Sequence, residues 1–259
     1  MKTKILLVNP PIYDFAAYDF WLKPYGMLSV AGMVRPKADF FLFDYLDRLV
    51  PFMATQEQLK SDRWGRGRFY FERIPNSEYL ADIPRYFRRF GLPRVMFQDF
   101  LRSEKTIDFA LVQTTMTYWY PGVKEVIEDI RKFHPEAKII LGGNYATLCG
   151  LHAETLGADL IVRGTKLEPL WEYMNLTPEP AQPALWEIYP KLKTGTLKLT
   201  EGCPFRCTYC SVPQVYGKFK PRSLEHSFAE LELLYKLGAE NIAFYDDALL
   251  FEPGLESLQ

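Results

Sequence analysis

The chain has 259 residues, 48% of them hydrophobic and 24% charged, which suits one large domain or two modest ones with a real core. Disordered, collagen-like and low-complexity classes are excluded. Thirty-one Lys+Arg against 32 Asp+Glu leave a formal charge of -1, so the whole chain lacks the positive excess of a general nucleic-acid binder. No apolar run reaches the roughly 18 residues that span a bilayer, and the short stretch after Met1 is cut by Pro10 and Pro11. The expectation is a cytoplasmic protein with reduced cysteines and no membrane partner.

In chain order, Lys4–Val8 is a short apolar run that ends in Asn9-Pro10-Pro11, the pattern of a buried parallel strand meeting a loop. Helical spacing follows from Tyr25 to Val34, then a second apolar run from Phe40 to Phe43. The segment 51–103 breaks the rhythm: it is rich in Phe, Tyr and Arg, and from Lys60 to Ser103 ten Lys+Arg face five Asp+Glu. It is expected to be an aromatic, basic, helical insertion, whose arginines are either solvated or form a surface for an anionic ligand or RNA. Strand, helix and strand patterns resume at 109–113, 123–133 and 137–141, where Gly142-Gly143 punctuates the last of them. A further strand at 159–162 and a helix at 167–174 complete the alternation, which predicts a doubly wound parallel sheet over residues 1–176.

Residues 177–192 begin with the Pro-rich run Thr177-Pro-Glu-Pro-Ala-Gln-Pro183 and read as a linker. Beyond it, 193–259 repeats a strand–loop–helix–strand unit: a strand at 196–200, an amphipathic helix at 224–237, and a strand at 241–245 that ends in Asp246-Asp247. A further helix is expected to begin before Gln259. Ser223 reads as the cap of the amphipathic helix.

Three of the four cysteines lie within eight residues, Cys203-Pro-Phe-Arg-Cys207-Thr-Tyr-Cys210, while Cys149 stands alone and reads as a small packed side chain. Clustered thiolates in a reducing compartment select an iron–sulfur cluster, zinc or cuprous copper. A structural zinc site needs a fourth ligand, and none lies in the next dozen residues. Three thiolates on a four-iron cubane leave one iron open.

The run Leu199-Thr-Glu-Gly-Cys203-Pro-Phe-Arg-Cys207-Thr-Tyr-Cys210 resembles the signature of the radical S-adenosylmethionine (SAM) superfamily. The resemblance implies a [4Fe-4S] cluster on Cys203, Cys207 and Cys210 at the start of a (βα) partial barrel. The open iron would chelate SAM, whose reductive cleavage yields methionine and a 5′-deoxyadenosyl radical. It further implies SAM contacts from Tyr209 near the adenine and from Asp246 and Asp247 toward the ammonium. Arg222 is a candidate for the SAM carboxylate or the substrate, or else a solvated residue before the helix cap.

The front half resembles the cobalamin-binding domains that precede some radical SAM barrels. The matching features are Asn9-Pro10-Pro11 after the first strand, Pro24-Tyr-Gly-Met-Leu28, Gly142-Gly143-Asn144, and Val162-Arg163-Gly164. Ligands of open parallel sheets sit at the carboxyl ends of the strands. The implied cobalamin-binding set is therefore Asn9, Pro10, Pro11, Tyr13, Thr114, Thr115, Thr117, Gly142, Gly143, Asn144 and Gly164. The Asp-x-His-x-x-Gly cobalt-binding motif of cobalamin mutases is absent, and Gly164-Thr-Lys-Leu-Glu168 replaces an acidic stretch, so any cobalamin would lack a histidine on cobalt.

The resulting expectation is a radical SAM enzyme of the cobalamin-dependent methyltransferase class. Its expected substrate is a small molecule or peptide, its reductant a protein such as flavodoxin or ferredoxin, and nucleic acid is not expected as a partner. Two alternatives stand beside it: a cobalamin-independent enzyme such as a methylthiotransferase-like RNA modifier, and a non-enzymatic metal-binding module. Only two strand–helix units fit after Pro183, so the chain is expected to be the front part of a longer protein.

Overall fold

The structure is a computed structural model and describes residues 2–56, 59–104, 106–180 and 182–249. The first part of the chain runs β1 (Thr3–Asn9), β2 (Ile12–Asp14), β3 (Tyr18–Asp19), α1 (Tyr25–Gly32), β4 (Ala38–Asp44), α2 (Pro51–Ala54), β5 (Gly67–Arg68), β6 (Phe71–Ile74) and β7 (Phe87–Phe90). It continues with α3 (Arg94–Ser103), β8 (Phe109–Thr114), α4 (Tyr120–Phe133), β9 (Lys138–Gly143), α5 (Asn144–Leu148), α6 (Gly150–Glu154), β10 (Leu160–Val162) and α7 (Glu168–Met174). The second part comprises β11 (Thr194–Leu197), β12 (Thr200–Glu201), α8 (Val212–Tyr216), β13 (Lys220–Pro221), α9 (Leu224–Lys236) and β14 (Asn241–Phe244).

Five strands form one parallel sheet in the order β10-β9-β8-β1-β4. Their sequences are apolar on both faces because both faces are covered. Leu6 and Val8 of β1 pack on α3 and α4, through Phe97, Leu101, Val126 and Ile130. Ile5 and Leu7 turn the other way, onto Leu28 of α1 and Leu170 of α7. Each such fully buried aliphatic side chain contributes about 1.5–3 kcal/mol. The sheet is thus doubly wound, and its order reverses between β1 and β8, where this architecture opens a crevice.

Segment 51–103 differs from the helical insertion expected. Its helix α3 packs back on α4, and the stretch before it is sheet: β6 and β7 pair with β2, and β5 pairs with β3. The strands were hidden because Phe71-Glu-Arg-Ile74 and Phe87-Arg-Arg-Phe90 lack a period-two apolar pattern and carry charged residues at their centres. Arg89 of β7 is buried, and its guanidinium grips both carboxylate oxygens of Glu125 on α4, at 2.6 and 2.9 Å. Tyr13 donates to the same carboxylate at 2.6 Å, and Arg89 also donates to the Leu92 carbonyl at 2.8 Å. Other local arginines are engaged as well: Arg94 with Asp129, Arg66 with Asp62, and Arg88 over the ring of Phe71.

The Pro-rich stretch is a packed strap rather than a loose joint. The Leu185 N–H donates to the Leu28 carbonyl, and the Glu179 N–H to the Met33 carbonyl. Trp186 is fully buried, and its indole donates to Glu230 of α9 at 3.1 Å. In the second part, β11 and β14 pair in parallel with α9 as the crossover between them. Gly195 makes that packing close, since a Cβ there would lie 2.4 Å from Leu234. The helix expected near the end of the chain falls mainly within residues 250–259, outside the described residues.

Replacing Glu125 by alanine strands Arg89 as a buried charge. Urea unfolding of Glu125→Ala is expected to show a loss of about 3–5 kcal/mol.

Candidate iron–sulfur and SAM site

The expected strand at 196–200 is split. β11 ends at Leu197, and after Lys198 and Leu199 the chain enters β12, which pairs antiparallel with β13. Gly202, at φ +72°, then turns the chain into the cysteine loop. No helix or strand interrupts Cys203–Ser211, and the Cys210 N–H closes a turn on the Cys207 carbonyl at 3.0 Å. α8 begins at Val212, whose N–H points to Cys210 Sγ at 3.5 Å.

The three thiols carry no disulfide; Cys207 is exposed, and Cys203 and Cys210 are half-buried. Among the described residues, no three His, Cys, Asp or Glu side chains are already drawn together around a metal position. The donor set nevertheless suits an iron–sulfur cluster: three soft sulfurs share one short irregular loop, and a backbone N–H is directed at one of them. Tyr209, 91% exposed, stands at the loop tip.

Asp246 does not face an empty site. Its carboxylate accepts the Leu199 N–H at 2.9 Å, the Thr200 N–H, and Thr200 Oγ1 at 2.7 Å. It ties the end of β14 to the chain entering the cysteine loop, a structural role beside the expected one toward the SAM ammonium. Asp247 makes no such contacts and stays exposed, with its pKa raised by partial desolvation against the opposing pull of Lys198. Arg222 is also engaged elsewhere. It donates to the Tyr25 hydroxyl, lies 3.6 Å from Glu230, and contacts His226 Nε2 at 2.8 Å. That network joins the two halves of the chain and engages the Arg222 guanidinium away from the cysteine loop. Ser223 does cap α9, accepting the His226 N–H at 3.3 Å.

The residues assigned to cobalamin surround a closed crevice. Asn9 donates to Asp44 at 2.7 Å, and Tyr13 is held by Glu125. Thr114 donates to the Gly142 carbonyl and accepts the Ala146 N–H, both at 3.0 Å. Gly143, at φ +114°, sits so close to Thr114 that a Cβ would lie 2.1 Å from its carbonyl; its glycine serves packing, not a ligand. Pro11 lies against α4, where a Cβ on Gly122 would come within 1.9 Å of its carbonyl. Pro10 and Thr115 line a cavity of about 10 Å³ beside Ile12 and Trp119. That is room for one water, whereas ligand pockets begin near ~300 Å³. Thr117 starts the short turn before α4 and Asn144 starts α5, while the Gly164 N–H donates to Thr147 at 2.9 Å. Cobalamin does not fit this arrangement, and no step is derived through it.

Sequence reasoning passed over Lys198 and Tyr216. The Lys198 ammonium lies over the Tyr216 ring at 4.2 Å, beside the cysteine loop. A lone lysine in the strand-like run Thr194–Leu199 was the available signal.

Fold and loop together define a doubly wound α/β unit followed by a parallel strand–helix–strand unit that carries the three-cysteine loop. Residues 197–258 match the family model of the radical SAM superfamily. The chain is 33% identical over 117 residues to the ribosomal protein uS12 methylthiotransferase RimO of Syntrophotalea carbinolica, covering 44% of this chain and 24% of that protein. The RimO of Desulforamulus reducens is 32% identical over 122 residues, covering 46% and 24% respectively. The threonylcarbamoyladenosine tRNA methylthiotransferase MtaB of Thermotoga maritima is 27% identical over 124 residues, covering 42% and 29%. The chain thus spans about a quarter of the length of these relatives.

Those names overturn the expectation about partners. The relatives are named for macromolecules, a ribosomal protein and a tRNA, so neither a small substrate nor the exclusion of nucleic acid stands. No helix among the described residues is long and apolar enough to cross a membrane.

Because Asp246 satisfies three donors, Asp246→Ala is expected to lower the unfolding free energy by about 2–4 kcal/mol in urea titrations.

Proposed function

We propose that this chain forms part of a radical SAM enzyme that modifies a macromolecule, with methylthio transfer as the reaction. The observation that carries the reading is the Cys203–Cys207–Cys210 loop at the exit of β11, inside the segment that matches the radical SAM superfamily. The direction of the alignments toward methylthiotransferases supports the reaction type. Cobalamin-dependent methyl transfer is set aside, because the cavity lined by Pro11, Ile12 and Trp119 has room for about one water and the relatives are named methylthiotransferases.

Cys203, Cys207 and Cys210 would hold the [4Fe-4S] cluster. When bound, the cluster supplies the open iron and the electron that cleave SAM into methionine and a 5′-deoxyadenosyl radical. The chain's own residues set up that site. Asp246 fixes the entry to the loop, Gly202 supplies the turn, and the β12–β13 pair holds the opposite wall. Tyr209 at the tip presents an open ring face suited to stacking on a flat purine.

Anaerobic purification followed by iron and sulfide reconstitution tests the reading. The expected outcome is ~4 irons per chain, near-complete loss of iron in each Cys→Ala variant, and release of 5′-deoxyadenosine from SAM under dithionite. Zinc in place of iron, or iron loading that survives replacement of one of the three cysteines, would refute the assignment. Hydroxocobalamin added to the same preparation is expected to wash through a desalting column.

A further inference from the structure

The β2–β7–β6 sheet has two faces, and packing explains only one of them. Tyr13, Arg89 and Glu72 stand opposite one another in the register, and Tyr13 and Arg89 meet Glu125 of α4. Strand alternation puts Asp14, Arg88 and Arg73 together on the other face, one from each strand. Ile12, Phe90 and Phe71 form the covered end of that face, packed with Leu46 and Phe69. Its other end is cationic.

Arg88 and Arg73 are direct cross-strand partners, a like-charge pairing that destabilises a sheet. Among the described residues neither forms an ion pair: Arg88 lies over the Phe71 ring at 4.6 Å and Arg73 over the Tyr86 ring at 4.3 Å. The Arg88 Nε is buried with no hydrogen-bond partner. Nearby acids do not offset the pair. Asp14 accepts the Phe15 N–H at 2.6 Å and the Trp119 indole at 2.8 Å, and Glu72 lies 3.9 Å from Arg89 on the opposite face. Glu78 and Asp82, in the loop joining β6 to β7, are exposed and form no ion pair among the described residues. Two guanidiniums held side by side on aromatic rings, with no counter-ion, define a place for an anion of more than one charge. Open rings flank them. Tyr86, 61% exposed, shares the face of Arg88 by alternation along the strand. Tyr118, 56% exposed, lies near Asp14, and desolvation together with that carboxylate raises its pKa.

Cations interleaved with open ring faces suit the backbone and unpaired bases of a single strand, whereas an acidic peptide would use the cations alone. RNA offers such bases in its loops, bulges and ends. We propose that this face binds single-stranded RNA, with Arg73 and Arg88 on phosphates and Tyr86 and Tyr118 stacked on bases. The overall charge of -1 does not oppose it, because the excess is local: ten Lys+Arg face five Asp+Glu over Lys60–Ser103. The face lies in the front part of the chain and needs no cluster, so it stands independently of the radical SAM reading.

Fluorescence anisotropy of a labelled, unstructured RNA of about 12 nucleotides, titrated with the full chain at several salt concentrations, tests it. Arg73→Gln and Arg88→Gln are each expected to reduce the slope of log K against log salt by about 0.7, and to weaken binding about 5-fold at about 0.1 M salt. Tyr86→Ala is expected to weaken binding by about 5- to 100-fold, and Tyr86→Phe to retain it. Arg102→Gln, on α3 and outside the face, is expected to change nothing. Arg73→Gln is expected to keep or raise the urea midpoint, since it removes a like-charge contact, which separates lost binding from lost folding. A parent chain that does not bind the RNA, Arg73 and Arg88 variants that bind as the parent does, or an equal loss in Arg102→Gln overturns the assignment. Displacement of the RNA by polyglutamate at equal charge, with Tyr86→Ala binding unchanged, also overturns it in favour of an acidic protein partner.

Discussion

Glu230 is the carboxylate on which the arrangement of the two halves turns. It lies on α9 with no solvent exposure and accepts the Tyr25 hydroxyl at 2.8 Å, the Trp186 indole at 3.1 Å and the Ala184 N–H at 3.3 Å. Arg222, at 3.6 Å, supplies positive charge, and His226 lies 3.8 Å away. One residue thus joins the front sheet's first helix, the proline-rich strap and the helix behind the cysteine loop. A buried carboxylate is tolerated only when its lone pairs are filled, so this contact admits one geometry and penalises others. The cysteine loop inherits its position from that geometry.

The same economy explains why the front domain is closed. A doubly wound sheet opens a crevice at its switch point, and in this chain the protein's own residues occupy it. The β2–β7–β6 sheet, the indole of Trp119 bonded to Asp14, and the Arg89–Glu125 pair cover the ends of β1 and β8. Beside them the strap delivers Tyr189, which donates to the buried Asp44 at 2.6 Å, while burial raises the pKa of that carboxylate. On the other flank α8 packs against α5, so the loops after β9 and β10 face the cluster-bearing segment. The front domain therefore packs against the second part through α5 and α8.

The regular part of the fold was legible because it obeys one period at a time. The runs at 4–8, 109–113 and 137–141 are apolar on both faces, and the helix at 123–133 has a clear apolar stripe, so each formed close to where its pattern lies. The insertion was not legible for the opposite reason. Phe71-Glu-Arg-Ile74 and Phe87-Arg-Arg-Phe90 set their apolar residues three apart, on opposite faces of a strand, so no period-two pattern shows, and arginine reads as a solvated surface until Glu125, 36 residues away, is seen opposite Arg89. The aspartates at 246 and 247 show the same limit: adjacent and identical in chemistry, they have different surroundings, and among the described residues only Asp246 accepts hydrogen bonds.

By itself the sequence determined the alternation that builds the parallel sheet and the three-cysteine spacing of a soft-metal loop, because both depend on residues close together in the chain. Tertiary structure decided which polar residues are consumed by the fold and which are left for a ligand. Asn9, Thr114, Asp246 and Arg222 acquire their partners from distant segments, and Lys198 lacks an ion-pair partner among the described residues. The physical reason is that a donor or charge is available for binding only when nothing else satisfies it, and that balance exists only after the chain has packed.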